Sequence, residues 1–188
     1  VCKGYWYGVS CDSSFNVVSI SLPSASLSGS LPTTIYLLTS LTLVNICFNN
    51  LYGTIPTALG LINVLRLLWL NDNKFTGTIP SALGSLSTLL NIKLHNNKIS
   101  GTIPTVIGLM TSLQILSLWA NCLSGTIPTA IGLMASLTAA PFVTNKLTGT
   151  VPSQLCQMIK LVDATYIGTT VACALSPALE LVFMYNCL

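Results

Sequence analysis

The chain holds one histidine, His95, and any acid–base or hydrolytic chemistry would have to be built around it. Asp72 and Ser117 allow a Ser-His-Asp arrangement to be drawn with it, the serine as nucleophile, the imidazole as base and the carboxylate as orienter. Neither a nucleophile elbow nor an oxyanion-hole motif accompanies the three in the sequence. The four acidic residues, Asp12, Asp72, Asp163 and Glu180, are dispersed along the chain, which excludes a local paired-carboxylate motif. A histidine with no second histidine, clustered acid or thiol has no metal-ligand spacing, and phosphate loops and nucleotide fingerprints are absent. The expectation is a protein that is not an enzyme and that uses no cofactor and no metal.

Cysteine is the other reactive residue. Seven occur, at 2, 11, 47, 122, 156, 173 and 187, and none has the C-x2-C spacing of a zinc site. So many thiols without metal spacing point to an oxidising, extracellular or cell-surface setting. The first residues, Val1-Cys2-Lys3-Gly4, lack the charged and apolar regions of a signal peptide, so the sequence reads as processed or truncated.

Charge and hydropathy exclude several partners. Seven basic and four acidic residues make 6 % of 188, against roughly a quarter in an ordinary soluble domain. The mean hydropathy of +0.76 raises the possibility of a membrane span. A spanning helix needs about 20 consecutive apolar residues, and Gly, Pro, Asn, Ser or Thr interrupts every such stretch here. A net charge of +3 from dispersed bases predicts neither a nucleic-acid footprint nor an anionic-membrane patch.

What must position these residues is a repeat. Leu27-Ser28-Gly29-Ser30-Leu31-Pro32, Leu51-Tyr52-Gly53-Thr54-Ile55-Pro56 and Phe75-Thr76-Gly77-Thr78-Ile79-Pro80 begin a series that continues at 99–104, 123–128 and 147–152. Its glycines fall at 29, 53, 77, 101, 125 and 149, always 24 apart. A fixed period of this length marks a solenoid. Alternation such as Leu116-Ser117-Leu118 predicts one short strand per coil, leucines inward. The predicted inward pairs are Ile20/Leu22, Val44/Ile46, Leu68/Leu70, Ile92/Leu94, Leu116/Leu118, Ala140/Phe142 and Ala164/Tyr166. One coil cannot bury its own apolar face, so stability comes from stacking on its neighbours.

Leu113, Leu116, Leu118, Asn121, Leu123, Gly125, Ile127 and Pro128 spell L-x-x-L-x-L-x-x-N-x-L-x-G-x-I-P. This pattern resembles the plant-type leucine-rich repeat of receptor-kinase ectodomains and polygalacturonase-inhibiting proteins, over about residues 2–170. The resemblance implies an α/β repeat solenoid: a right-handed leucine-rich-repeat superhelix with a parallel β-sheet on the concave wall. Short second strands, 3-10 or irregular convex segments and disulfide caps complete it. It implies one domain over 1–188, with an N-terminal cap at 1–16, about six to seven repeats at 17–170 and a C-terminal cap at 171–188. Cys2, Trp6-Tyr7-Gly8-Val9 and Cys11 resemble the amino-terminal cap of the family, which implies a Cys2–Cys11 bridge. At the other end Cys156, Cys173 and Cys187 are candidates for one bridge, with Cys173 and Cys187 favoured because both lie beyond the last repeat motif. Cys47 and Cys122 belong to non-adjacent coils and are not expected to pair with each other.

Three periodic features define the expected surfaces. Asn49, Asn73, Asn97, Asn121 and Asn145 share one phase, and a column of amides can satisfy backbone groups left where each strand turns away. On the concave wall Leu43, Phe48, Leu67, Trp69, Ile115, Trp119 and Val143 are expected to form an apolar belt beside Lys93 and His95. On the flank, Ser30, Thr54, Thr78, Thr102, Thr126 and Thr150 follow the six glycines as an uncharged hydroxyl ladder. That ladder resembles ice-binding solenoids, for which a plant-type leucine-rich-repeat antifreeze protein is a precedent. No N-x-S/T sequon is present, so no N-linked glycan covers either surface. The expected function is a non-catalytic extracellular scaffold binding a protein or glycan partner or further copies of itself, with ice binding as the alternative. Pro141 falls between the inward Ala140 and Phe142 and removes a ladder donor, so the repeat at 138–144 is expected to be the weakest of the sheet.

Overall fold

The computed structural model describes residues 6–156. Twelve short strands occur among them: β1 (Val9–Cys11), β2 (Val17–Ser21), β3 (Ser28–Ser30), β4 (Leu43–Asn45), β5 (Asn50–Thr54), β6 (Leu67–Trp69), β7 (Lys74–Thr76), β8 (Asn91–Lys93), β9 (Ser100–Gly101), β10 (Ile115–Ser117), β11 (Cys122–Gly125) and β12 (Lys146–Leu147). The concave wall is a six-stranded sheet in the order β1-β2-β4-β6-β8-β10. All its neighbours are parallel except β1, which pairs antiparallel with β2 and covers the first coil. The flank carries two three-stranded sheets, β3-β5-β7 and β9-β11-β12.

The repeat dictates this architecture locally. Leu68, Leu70, Ile92, Leu94, Leu116 and Leu118 are buried between coils, each contributing about 1.5–3 kcal/mol by leaving water. After each proline at 32, 56, 80, 104 and 128 the chain makes one 3-10 turn: Thr33–Leu37, Thr57–Leu61, Ser81–Ser85, Thr105–Leu109 and Thr129–Leu133. These turns stack along the convex side. A Cβ on Gly108 would stand 2.4 Å from the Ala130 carbonyl oxygen, so the glycine sets how closely successive turns approach.

The asparagine column does the backbone work its phase predicts. Asn121 Oδ1 accepts from Ile99 N at 3.0 Å, and its Nδ2 donates to the carbonyls of Leu94 (3.0 Å), Leu118 (3.1 Å) and Trp119 (3.3 Å). Asn49, Asn73, Asn97 and Asn145 repeat the pattern. Each amide ties its own coil to the one before.

The sheet thins where Pro141 stands: an isolated bridge, Ile115 to Ala139, replaces a strand. Leu118 N still donates to the Pro141 carbonyl, but proline returns no N–H to the ladder. Cys11 and Cys122 each take part in a disulfide, whereas Cys47 is a free, buried thiol whose pKa burial pushes up. Cys2, Cys173, Cys187, the pair Ala164/Tyr166 and the expected C-terminal cap lie outside the described residues, as does the side chain of Cys156.

Candidate functional site

The middle of the concave wall is a grid set by strand register. Leu67, Asn91 and Ile115 are aligned across β6, β8 and β10, and Trp69, Lys93 and Ser117 form the next column. The register persists past the strands, because Leu70 N donates to Lys93 O, Asp72 N to His95 O, Leu94 N to Ser117 O and Asn96 N to Trp119 O. A third column of Asn71, His95 and Trp119 follows two residues on. At the edge Phe48, Asp72 and Asn96 take positive φ, which turns the chain out of the sheet.

Side chains lie sideways across this grid, onto the neighbouring coil. The Lys93 ammonium stands 4.6 Å from the centre of the Trp69 ring, a cation–π contact. The His95 imidazole stacks on Trp119 with centroids 4.6 Å apart and an interplanar angle of 11°. His95 Nδ1 lies 2.9 Å from Ser117 Oγ and its Nε2 3.7 Å from Asp72 Oδ2. Asp72 is further held by Asn71 Nδ2, which donates to Oδ2 at 2.6 Å, and Asn96 Nδ2, which donates to Oδ1 at 2.7 Å. Burial lowers the His95 pKa, with Lys93 acting in the same direction and Asp72 opposing them.

The structure thus brings Ser117, His95 and Asp72 into line. Ser117 is only 5 % exposed and its hydroxyl is engaged with the imidazole, so the serine orients the ring, and Asp72 faces the other ring nitrogen from beyond hydrogen-bond distance. Three polar side-chain atoms of the grid are buried with no hydrogen-bond partner: Trp69 Nε1, Asn71 Oδ1 and Asn91 Oδ1.

The apolar belt expected from the sequence is interrupted. Leu43, Leu67, Trp69, Ile115, Trp119 and Val143 are half-buried, and Phe48, at 57 %, is the one fully exposed member. Buried Asn45, Asn71 and Ser117 divide it, together with Lys93, His95 and Asp72. The cause is lateral packing: the lysine covers one indole and the imidazole the other.

On the flank Ser30, Thr54, Thr78, Thr102, Thr126 and Thr150 are all exposed. A Cβ added at Gly77, Gly101, Gly125 or Gly149 would meet the methyl of the threonine one coil earlier, so each methyl lies over the following glycine. The hydroxyls before the glycines are used internally: Thr76, Ser100, Ser124 and Thr148 each donate to the glycine carbonyl of the preceding coil. The uncharged ladder has charged neighbours on the flank. Lys74, Lys98 and Lys146 share one phase and stand exposed on it, so bases dispersed in sequence become a column in the fold. A second column also escaped the sequence reading. Leu37, Leu61, Leu109 and Leu133 end the convex turns with 62–68 % exposure, although each precedes a more buried residue and reads as core.

A leucine-rich-repeat model matches residues 64–86 and 112–134. No curated protein matches the chain. Among solved structures, the BIR2 ectodomain from Arabidopsis thaliana is 30 % identical over 76 % of this chain and 76 % of that one, with a TM-score of 0.66. The PEPR1–AtPEP1 structure is 38 % identical over 78 % of this chain, with a TM-score of 0.74. The Arabidopsis HAESA ectodomain, solved with an N-terminally extended IDA peptide hormone, is 30 % identical over 84 %, with a TM-score of 0.68. The chain spans 21 % of the PEPR1 chain and 35 % of the HAESA chain. With its 24-residue coils, asparagine column and parallel concave sheet, the chain belongs to the leucine-rich-repeat family, of the plant type found in receptor-kinase ectodomains.

Proposed function

We infer that this protein is an extracellular or cell-surface interaction scaffold, not an enzyme, and that it binds a protein or peptide partner on the concave wall around Trp69, Lys93, His95 and Trp119. The observation that carries this reading is the pair of half-buried tryptophans, each fixed by a ring contact, Lys93 on Trp69 and His95 on Trp119. Aromatic anchors held in one orientation lose little entropy when a partner docks. The fold relatives add support, since HAESA was solved with a peptide hormone and PEPR1 with AtPEP1. Selection from a displayed random-peptide library tests it: recovered peptides bind the parent chain and lose binding on Trp69→Ala and Trp119→Ala. Peptides indifferent to both substitutions refute the concave reading. A second copy as the partner is read by sedimentation, where concentration-dependent dimers lost in the same variants would identify self-association.

A second reading, ice binding on the flank, is favoured by one observation: the hydroxyl ladder is exposed on every coil with its methyls in register. It requires inhibition of ice recrystallisation that disappears when Thr78, Thr102 and Thr126 are changed to Lys. Inactivity of the parent chain ends it.

A further inference from the structure

The two charged groups of the concave wall, Asp72 and Lys93, are not paired with each other. The carboxylate, Asp72, already accepts hydrogen bonds from Asn71 and Asn96. Lys93, on the adjacent coil, has no carboxylate within ion-pair distance among the described residues, and its ammonium rests on the Trp69 ring. Lys74 and Lys98 stand exposed just past the same edge of these two coils. Residues 6–156 hold five bases, Arg66, Lys74, Lys93, Lys98 and Lys146, against two acids, Asp12 and Asp72. Asp12 belongs to the loop that follows β1, at the amino-terminal end of the solenoid. Lys93 is therefore the charged group of this face left to meet an anionic partner.

The unpartnered atoms specify more than charge. Asn71 is only 4 % exposed, and its amide orientation is fixed because Nδ2 donates to the Asp72 carboxylate. The atom left over, Oδ1, is an acceptor that lacks a donor. Asn91 Oδ1 is a second such acceptor, and Trp69 Nε1 is a donor that lacks an acceptor. A buried polar group without a partner is costly, and a ligand that supplies the partner recovers that cost on binding. Asn71 and Asn91 lie on adjacent coils, four residues apart along the strand direction, with Trp69 and Lys93 in the column between them. Strand geometry makes that diagonal roughly 14 Å, a distance that about four residues of extended peptide span.

We propose that Trp69, Asn71, Asn91 and Lys93 form a subsite for an extended peptide segment that carries an acidic side chain. This deepens, and rests on, the concave-wall reading above. The carboxylate accepts from the Lys93 ammonium and the Trp69 indole N–H, and N–H groups of the segment donate to Asn71 Oδ1 and Asn91 Oδ1. Because those atoms lie beneath the surface layer, binding draws the ammonium off the indole ring towards the carboxylate. The cation–π contact is exchanged for a charge-assisted hydrogen bond.

The test uses synthetic peptides of roughly ten residues, blocked at both ends so that no terminal carboxylate contributes. One alternates Glu with Ala; its control alternates Gln with Ala. Binding is followed by tryptophan fluorescence and by calorimetry. The Glu peptide is expected to bind about tenfold or more tighter than the Gln peptide, with a preference that weakens as salt is raised. Lys93→Gln abolishes the preference, and Trp69→Phe, which keeps a ring but removes the N–H, weakens binding of the Glu peptide. Circular dichroism confirms that both variants are folded. Equal binding of the two peptides, or a preference that survives Lys93→Gln, overturns the subsite. If that equal binding is nonetheless lost on Trp69→Ala and Trp119→Ala, the concave-wall reading survives without it. Failure of both peptides to bind overturns the proposal too, and binding of a uronic-acid oligosaccharide in their place would reassign Lys93 to a glycan.

Discussion

Ser117 Oγ lies 2.9 Å from Nδ1 of His95 on the preceding coil, and the opposite ring nitrogen faces Asp72 at 3.7 Å. When the serine hydroxyl donates to Nδ1, the proton of the neutral ring is on Nε2, towards the carboxylate. The row from Ser117 to Asp72 thereby stores a neutral imidazole flat against Trp119.

This arrangement makes stability depend on pH with a definite sign. Burial lowers the His95 pKa below its value in the unfolded chain, and the nearby Lys93 adds to the effect while Asp72 opposes it. Below the ordinary histidine range the unfolded chain takes up the proton first, so stability is full above that range. It falls as pH drops towards the depressed folded pKa and levels off beneath it. Melting temperatures measured between about pH 7 and about pH 5 should fall more for the parent chain than for His95→Gln. Parallel profiles would mean that the imidazole titrates alike in both states.

The asparagine column predicts a large loss from a small change. Asn121 is 4 % exposed, and its amide serves one backbone N–H and three carbonyls on two coils. Asn121→Ala leaves Ile99 N buried without its acceptor, at about 1–3 kcal/mol, whereas the Leu94, Leu118 and Trp119 carbonyls keep Asn97 Nδ2, Asn145 Nδ2 and Asn96 N as donors. Chemical denaturation measures it. Asn121→Asp is the informative companion, because the carboxylate retains the acceptor for Ile99 N while losing every donor.

How much of this was legible in the sequence follows from what fixes each feature. Backbone features repeat every 24 residues because every coil solves the same packing problem, so the strands, the asparagine column and the exposed threonines at 54, 78 and 102 could be read directly. The concave site depends on which side chains meet across coils at the variable positions. The fall of Lys93 onto Trp69, the stacking of His95 on Trp119 and the burial of Asn71 follow from pairs some 24 residues apart, with no local signal. The lysine column at 74, 98 and 146 was present in the phase of the repeat, and is missed when bases are counted instead of aligned. Leu109 and Leu133 mislead for a different reason. A 3-10 turn ends with one residue outward and the next inward, and leucine occupies the outward position as well.

Cys47 tests the burial of the concave sheet by chemistry. It is a free thiol, buried, and its pKa is raised chiefly by desolvation, so little thiolate forms at neutral pH. Iodoacetamide should leave the peptide containing Cys47 unmodified in the native protein and label it once denaturant unfolds the chain, as followed by mass spectrometry. Native-state labelling at a rate near that of a free thiol would place Cys47 at the surface.

Gly108 tests whether the convex turns are packed as closely as the fold requires. Its φ is not positive, so alanine is locally acceptable to the backbone, and any cost must come from the neighbouring coil. An added Cβ would stand 2.4 Å from the Ala130 carbonyl oxygen and 2.7 Å from both the carbonyl carbon and the Ala130 Cβ. Those are mainly backbone atoms of the Thr129–Leu133 turn, so the two coils must separate. Overpacking of this kind costs about 1–3 kcal/mol. Separation on the convex side also loosens the stack carrying Leu116 and Leu118. Gly108→Ala is therefore expected to lower the denaturation midpoint, whereas Gly29→Ala meets no atom within 4 Å and is strained only through its positive φ. Shortening the neighbour separates the two causes: Ala130→Gly removes one of the contacted carbons, so the double variant recovers part of the loss if interturn crowding is responsible. No recovery would assign the loss to the backbone contact alone.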